Sequence, residues 1–271
     1  MPAAAGNHVY GPGPQDGTKI LLSHSIPLAE RLEPKGVRFE SSKFQWLGTF
    51  DAIAHTMAIW HRAQVNTIDV LKAKPLVIGS FSKSHLTYQW AAMMKHVLGT
   101  SYQVITGYPS GSRGEVDGWA ASWENLAGTR PQWLTEKKVS LLVSFTFERK
   151  EQFPDVPTLL ELTPPDKKDI VEFLTAGTPF GRAMAVGPGV PADRVTALRK
   201  AFDDVMKDPA FLAEAAKRKL DIYPRPAAYP HTLATKLASA LPELVARVKT
   251  AIGQTSTPRA QTAIGGKEEL K

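Results

Sequence analysis

The sequence predicts an α/β protein, and three observations lead there. Short apolar segments alternate with amphipathic ones along most of the 271 residues. Most strand-like segments, such as LVIG at 76–79 and VSLLVSFT at 139–146, are apolar throughout, as strands covered on both faces are. Helix start and stop signals fall between them. The expected architecture is a parallel sheet with helices on its faces. No internal repeat is visible.

Residues 1–17 hold closely spaced Gly and Pro and read as loop. TKILL at 18–22 reads as a short buried strand, stopped by the polar Ser23-His24-Ser25. Residues 44–46 and 53–60 read as two further strands. Thr67 is placed to cap a short helix over IDVLKAK, which Pro75 breaks. LVIG then runs into a hydroxyl-rich turn, Ser80-Phe81-Ser82-Lys83-Ser84. Leu86, Trp90, Met93, Met94, Val97 and Leu98 recur on one helical face, and Gly99 sits at the expected stop. YQVIT at 102–106 reads as a strand ending in GYPSG, and AMAV at 183–186 as another. Pro191 opens a helix whose apolar face is Val195, Leu198, Phe202, Val205 and Met206. Asp208 and Pro209 start a helix through Leu220, and a last helix runs from about 232 to 252. The polar tail at 253–271 is expected to be disordered.

Composition excludes several classes. Hydrophobic residues make up 43% and charged residues 22%, enough apolar material to build a core. Lys plus Arg is 33 against 26 Asp plus Glu, a net charge of +7 spread along the chain. That spread lacks the dense basic stripe of a nucleic-acid binder and favours small anionic partners weakly. The absence of Cys rules out disulfides, thiolate catalysis and Cys-type zinc sites. None of the seven histidines is paired at metal-ligand spacing, so neither a metal nor a cofactor is expected. No apolar run approaches the ~20 residues needed to span a bilayer. MPAAAGNHVYGPGPQDG has neither a basic nor an apolar signal region, which places the chain as it stands in the cytoplasm.

The Gly11-Pro12-Gly13 stretch precedes a strand and its prolines remove donors, so it is no nucleotide loop. A hydrolase using Ser84 with His85 lacks a G-x-S-x-G context. A carboxylate hydrolase would draw on Asp51, Glu115, Asp117 or Glu124, with Trp119, Trp123 and Trp133 as a sugar platform. At helical spacing, however, Trp119 and Trp123 read as packing. The stronger signal is the serine turn at a helix start. A helix N-terminus carries about half a positive charge and free N–H groups, which suit a carboxylate or phosphate. Simple N-capping by Ser82 or Ser84 explains the serines equally well. VITGYPSG offers a second loop, with Thr106, Tyr108 and Gly-rich backbone N–H groups. Two such loops would clamp an anion without any catalytic group.

Several strings occur in a familiar order: DGTKILL, LVIGS, VITGYPSG, RGEVDG, FPDVPTLLEL and GPGVPADRVTALRKAFDDVMKDP. Together they resemble the substrate-binding receptors of tripartite tricarboxylate transporters, the Bug or TctC-like family, over residues from about 10 to about 249. The resemblance implies a two-lobed periplasmic binding protein of the type II, Venus-flytrap kind. It implies a monomer that passes a small carboxylate to membrane transporter subunits, with no enzyme chemistry. By motif position, Gly79, Ser80, Ser82 and Ser84 match the lobe-two loop that meets the ligand. Tyr108 and Gly111 match the next loop, and Asp117 matches the acid of a G-x-V-D motif. Ser23 and Ser25 match a lobe-one loop. The implied division is 1–66 plus 187–252 for lobe one and 67–186 for lobe two. Against the family pattern, the first strand–helix unit of lobe one is missing, and the helix before RGEVDG is collapsed to residues 110–113. A truncated, non-binding remnant of the family is therefore an alternative to a working receptor.

Overall fold

The apolar segments assemble into two sheets in the computed structural model, which describes residues 2–23, 25–108, 115–218, 220 and 222–254. Helix α1 (Pro2–Tyr10) leads to β1 (Leu21–Leu22) and α2 (Ile26–Leu32). Strands β2 (Gln45–Thr49) and β3 (His55–Trp60) follow, then α3 (Ile68–Ala73), β4 (Val77–Ser80), α4 (Leu86–Leu98) and β5 (Gln103–Thr106). Next come β6 (Gly118–Ser122), α5 (Trp123–Thr129), α6 (Pro131–Thr135), β7 (Val139–Ser144), α7 (Leu159–Leu162) and α8 (Lys168–Thr175). The chain closes with β8 (Ala183–Val186), α9 (Ala192–Val205), α10 (Pro209–Lys217), β9 (Arg225–Pro226), α11 (Ala228–Ala238) and α12 (Pro242–Ala251).

The four-stranded sheet has the order β1-β8-β2-β9, and each neighbouring pair is antiparallel. The five-stranded sheet has the order β5-β4-β6-β3-β7. Its β4 pairs parallel with β5 and β6, whereas β3 runs antiparallel to β6 and β7. The two-lobed α/β arrangement is as expected, but the four-stranded sheet is antiparallel and, because β3 runs against its neighbours, the five-stranded one is mixed, where parallel strands are expected. The reason is residues 50–54, which carry the chain directly from β2 into β3. β3 thus starts at the end of the five-stranded sheet where β4, β5, β6 and β7 finish, and runs against β6 and β7. The sheets also divide the chain differently from the expected boundaries. β3 sits in the five-stranded sheet although residues 1–66 were assigned to lobe one, and β8 sits in the four-stranded sheet although 67–186 were assigned to lobe two.

One apolar core runs through both sheets. Trp46 packs on Phe180 at one end, with ring centroids 4.9 Å apart. Trp90 of α4 stacks on Phe145 at the other, 4.7 Å apart and 9° from parallel. Local signals hold where expected. Thr67 Oγ1 accepts from Val70 N–H, Asp208 Oδ1 accepts from Phe211 N–H, and Gly99 ends α4 with φ 67°. Three expectations fail. The first is that residues 1–17 are all loop: Ala3, Ala4 and Ala5 start α1, which buries Val9. The second is a single last helix, which Pro242 splits by starting α12. The third is that Trp119 lies on a helix. It lies on β6 and packs with Trp60 and Trp133, 5.5 and 6.2 Å away, which leaves no open sugar platform. The expected disorder of the tail concerns residues that, from 255 onward, lie outside the described ones.

Candidate functional site

Strands β4, β5, β6 and β7 all end at the edge of the five-stranded sheet where β3 begins. At the four-stranded sheet, β1 and β2 end where β8 begins. Residues 50–54 join these two ends. Phe50 N–H donates to Arg182 C=O and Ile53 N–H to Thr178 C=O across the junction. Polar side chains collect on both sides of it.

On the five-stranded side, β4 ends in buried Ser80. Its Oγ lies 2.9 Å from Thr87 Oγ1 in the first turn of α4, and Thr87 Oγ1 lies 3.0 Å from His85 Nδ1. His85 is the N-cap, its Nδ1 accepting from Thr87 N–H. Neither Ser82 nor Ser84 caps the helix; their hydroxyls are 3.3 Å apart. Ser84 Oγ and His85 Nδ1 thus each engage another hydroxyl, so the Ser84–His85 hydrolase reading finds no catalytic pairing here. The loop after β5 is zipped alongside: Tyr108 N–H donates to Ser80 C=O and Gly107 N–H to Phe81 C=O. Gly79 permits this approach. A Cβ there would lie 3.0 Å from Val116 Cγ2 and 3.3 Å from Tyr108 Cβ. Gly79→Ala is therefore expected to cost about 1–3 kcal/mol through overpacking. Wild-type stability in a urea melt would show that this loop gives way freely.

The structure brings Gly79, Ser80 and Tyr108 together, with Ser82 and Ser84 one turn away. It does not bring Asp117 there. β6 runs parallel to β4 with Gly118 opposite Ile78, so Asp117 lies at the start of the strands, roughly 10 Å from the Ser80 end. Its Oδ2 accepts from Val77 N–H, which makes it a strand-start anchor. Gly111 lies outside the described residues. Ser23 lies at the junction end of the four-stranded sheet, its N–H on Ala183 C=O, and its buried Oγ has no partner among the described residues. Ser25 precedes α2 in a left-handed conformation, φ 55°, without capping it.

Three titratable groups stand at the junction: Asp51 and Glu124, which the sequence offers only as acids for a carboxylate hydrolase, and His55, which it does not single out. His55 begins β3 and is buried, and its Nδ1 has no partner among the described residues. Burial pushes its pKa down to about 4, against the pull of Glu124 and with a push from His85, so it is neutral at pH 7. Glu124 is spent on structure: Oε1 accepts from Ala54 N–H and Oε2 from the Ser122 hydroxyl. Asp51 lies within the junction segment itself. Its Oδ1 accepts from Ala52 N–H, with Lys150 Nζ 3.6 Å and Arg182 Nη1 3.7 Å from its carboxylate oxygens. Burial raises its pKa to about 6 despite the opposing pull of Lys150. The sequence signal for His55 was its place at the head of an apolar strand, where a lone polar residue has to find a partner or an edge. Among the described residues no His, Asp and Glu cluster could hold a metal, and no helix is long and apolar enough to cross a membrane.

No protein-family model and no curated protein sequence matches the chain. Solved structures do. A TctC solute-binding protein from Polaromonas aligns with TM-score 0.66 and 14% identity, over 90% of this chain and 81% of that one. The periplasmic binding protein BugD aligns with TM-score 0.62 and 16% identity, over 93% and 84%. The chain has the TctC/Bug fold. MatC from Rhodopseudomonas palustris, solved with bound malate, aligns with TM-score 0.60 and 17% identity, over 92% and 84%. The first two of these neighbours are a solute-binding and a periplasmic binding protein. The motifs read from the sequence, PDVPT at 154–158 and PGVPADRV at 188–195, thus sit on the matching fold.

Proposed function

We propose that the protein is a non-catalytic receptor for a small dicarboxylate or tricarboxylate, held where the two sheets meet. The observation that carries this reading is the Ser80–Thr87 pair at the N-terminus of α4, zipped to the Tyr108 loop. Fixed N–H groups, a helix dipole and hydroxyls can hold a carboxylate with no chemical step. The Ser80, Ser82 and Ser84 hydroxyls would grip one end of the ligand, with Gly79 and Tyr108 setting the close approach of the two loops. Ser23, whose buried hydroxyl has no partner among the described residues, would meet it from the other sheet, with Ser25 beside it. A buried hydroxyl left unpaired costs about 1–3 kcal/mol, so a ligand or water that reaches it is favoured. The malate in MatC supports the class of ligand. Delivery to a membrane transporter from the periplasm, as a monomer, belongs to the same proposal.

The test is a thermal or urea melt of the purified chain with malate, then with other dicarboxylates and tricarboxylates. Ligand at 100 times its Kd adds about 2.7 kcal/mol of stability. The double variant Ser82→Ala, Ser84→Ala removes two accessible hydroxyls and is expected to weaken binding at least tenfold, about 1.4 kcal/mol. A folded chain that no such acid stabilises would be the non-binding remnant, and the receptor reading would fail.

A further inference from the structure

A second concavity lies where β2 and β8 meet α9 and α10, and it reaches the sheet junction at Phe50 and Arg182. It is a cavity of about 660 Å³, well within the range of small-molecule sites. Its walls are aliphatic and aromatic: Met184 and Phe50 from the sheet side, Leu198, Phe202 and Val205 from α9, and Phe211 from α10. Phe50 and Phe202 stack with ring centroids 6.4 Å apart. Around it, Ile20 is 44% exposed, Val205 44% and Leu220 43%, so the apolar lining continues to the surface. Atoms facing it lack the dispersion contacts that a guest would supply.

One charged group marks the guest's chemistry. Arg182 lines the cavity, and its side chain is only 19% exposed. Its guanidinium makes no hydrogen bond among the described residues; its ionic partner, Asp51, stands 3.7 Å away and is shared with Lys150. Among the described residues, two cations thus share the one carboxylate in ion-pair range of either, and Arg182 is left with donors to spare. A guanidinium has five donors in a planar fork suited to a carboxylate. The other charged lining groups, Arg218 and Glu214, neutralise each other at 2.7 Å. We infer that this cavity binds an alkyl carboxylate of fatty-acid type, its chain along the aromatic wall and its head on Arg182. The cavity shares no lining residue with the proposed dicarboxylate site, and the inference does not rest on that reading.

Calorimetric titration of the full chain with dodecanoate tests it, with dodecanol and malate as comparison ligands. Saturable binding of one dodecanoate per chain is expected, at least tenfold tighter than dodecanol. Val205→Trp fills the cavity from an exposed helix position; it is expected to weaken dodecanoate at least tenfold and leave the response to malate unchanged. Arg182→Gln is expected to abolish the preference for acid over alcohol, and Arg182→Lys to retain most of it. Absence of saturable binding overturns the inference, as does equal affinity for acid and alcohol, or indifference to Val205→Trp. A wild-type dimer in sedimentation that Val205→Trp dissociates would also overturn it, by making this face a self-association surface.

Discussion

Trp90→Ala is expected to cost about 3–5 kcal/mol of stability, the range for removing a large buried aromatic. Trp90 is fully buried on the inner face of α4. Its indole lies flat on Phe145, just beyond the end of β7, and Met93, Met94 and Val97 of the same helix join the same core. Alanine leaves a hole bounded by a helix and a sheet, two bodies that cannot collapse far into it. Trp90→Phe separates packing from polarity. The indole N–H is buried without a partner among the described residues, so tryptophan bears a desolvation cost that phenylalanine avoids. Phenylalanine is therefore expected to lose far less than alanine. Because α4 also carries Thr87, the alanine variant is expected to weaken malate binding as well. Urea unfolding of both variants decides the point. A loss below about 1 kcal/mol for Trp90→Ala would mean that α4 is not anchored as described.

Helix α4 was the most legible element because its signals are local. Six apolar residues at helical spacing and a glycine at the stop require no knowledge of the rest of the chain. The cap residues Thr67 and Asp208 were legible for the same reason. Strand direction was not, because it depends on where the chain comes from. Nothing in HTMAIW shows that β3 enters the sheet from the junction end and so reverses two pairings. Strand β6 escaped notice because Gly-Trp-Ala-Ala-Ser has almost no β-branched character. Its position explains the composition. A Cβ on Gly118 would lie 2.6 Å from Ala58 C=O of the neighbouring strand, so only glycine fits. Around the site, the loop after LVIG was readable as a strand–turn–helix unit. Thr87 was not, because its partner Ser80 is seven residues away and across a helix start. Asp117 was misplaced for a related reason: its motif shows that it precedes a strand, while only the parallel pairing of β6 with β4 shows which edge that is.

Two buried groups at the junction are expected to oppose each other in pH. Asp51 titrates near 3.8 when unfolded and about 6 when folded. Between those values the folded state holds a proton that the unfolded state has lost, so its contribution to stability falls as pH rises. At about 1.4 kcal/mol per unit of pKa, that loss is ~3 kcal/mol. His55 behaves in the opposite sense, titrating near 6.5 unfolded and about 4 folded. Over that window the unfolded state takes up a proton that the folded state refuses, and stability rises with pH by ~3 kcal/mol. Between pH 4 and 6 the two contributions therefore run in opposite directions. Asp51→Asn removes the falling contribution, so that variant is expected to gain stability with pH across this interval. His55→Gln removes the rising one, and its stability is expected to fall. The double variant loses both contributions: Asp51 faces Lys150 and Arg182, His55 faces His85, and Glu124 acts on both groups and couples them. Urea unfolding at pH 4 and pH 6.5 reads all three. Parallel profiles for the two single variants would show that neither group is buried as described. Opposite slopes would instead establish that the junction holds an ionised aspartate at neutral pH at a cost to stability. That cost is the counterpart of holding Lys150 and Arg182 within 3.7 Å of one carboxylate on the segment that joins both sheets.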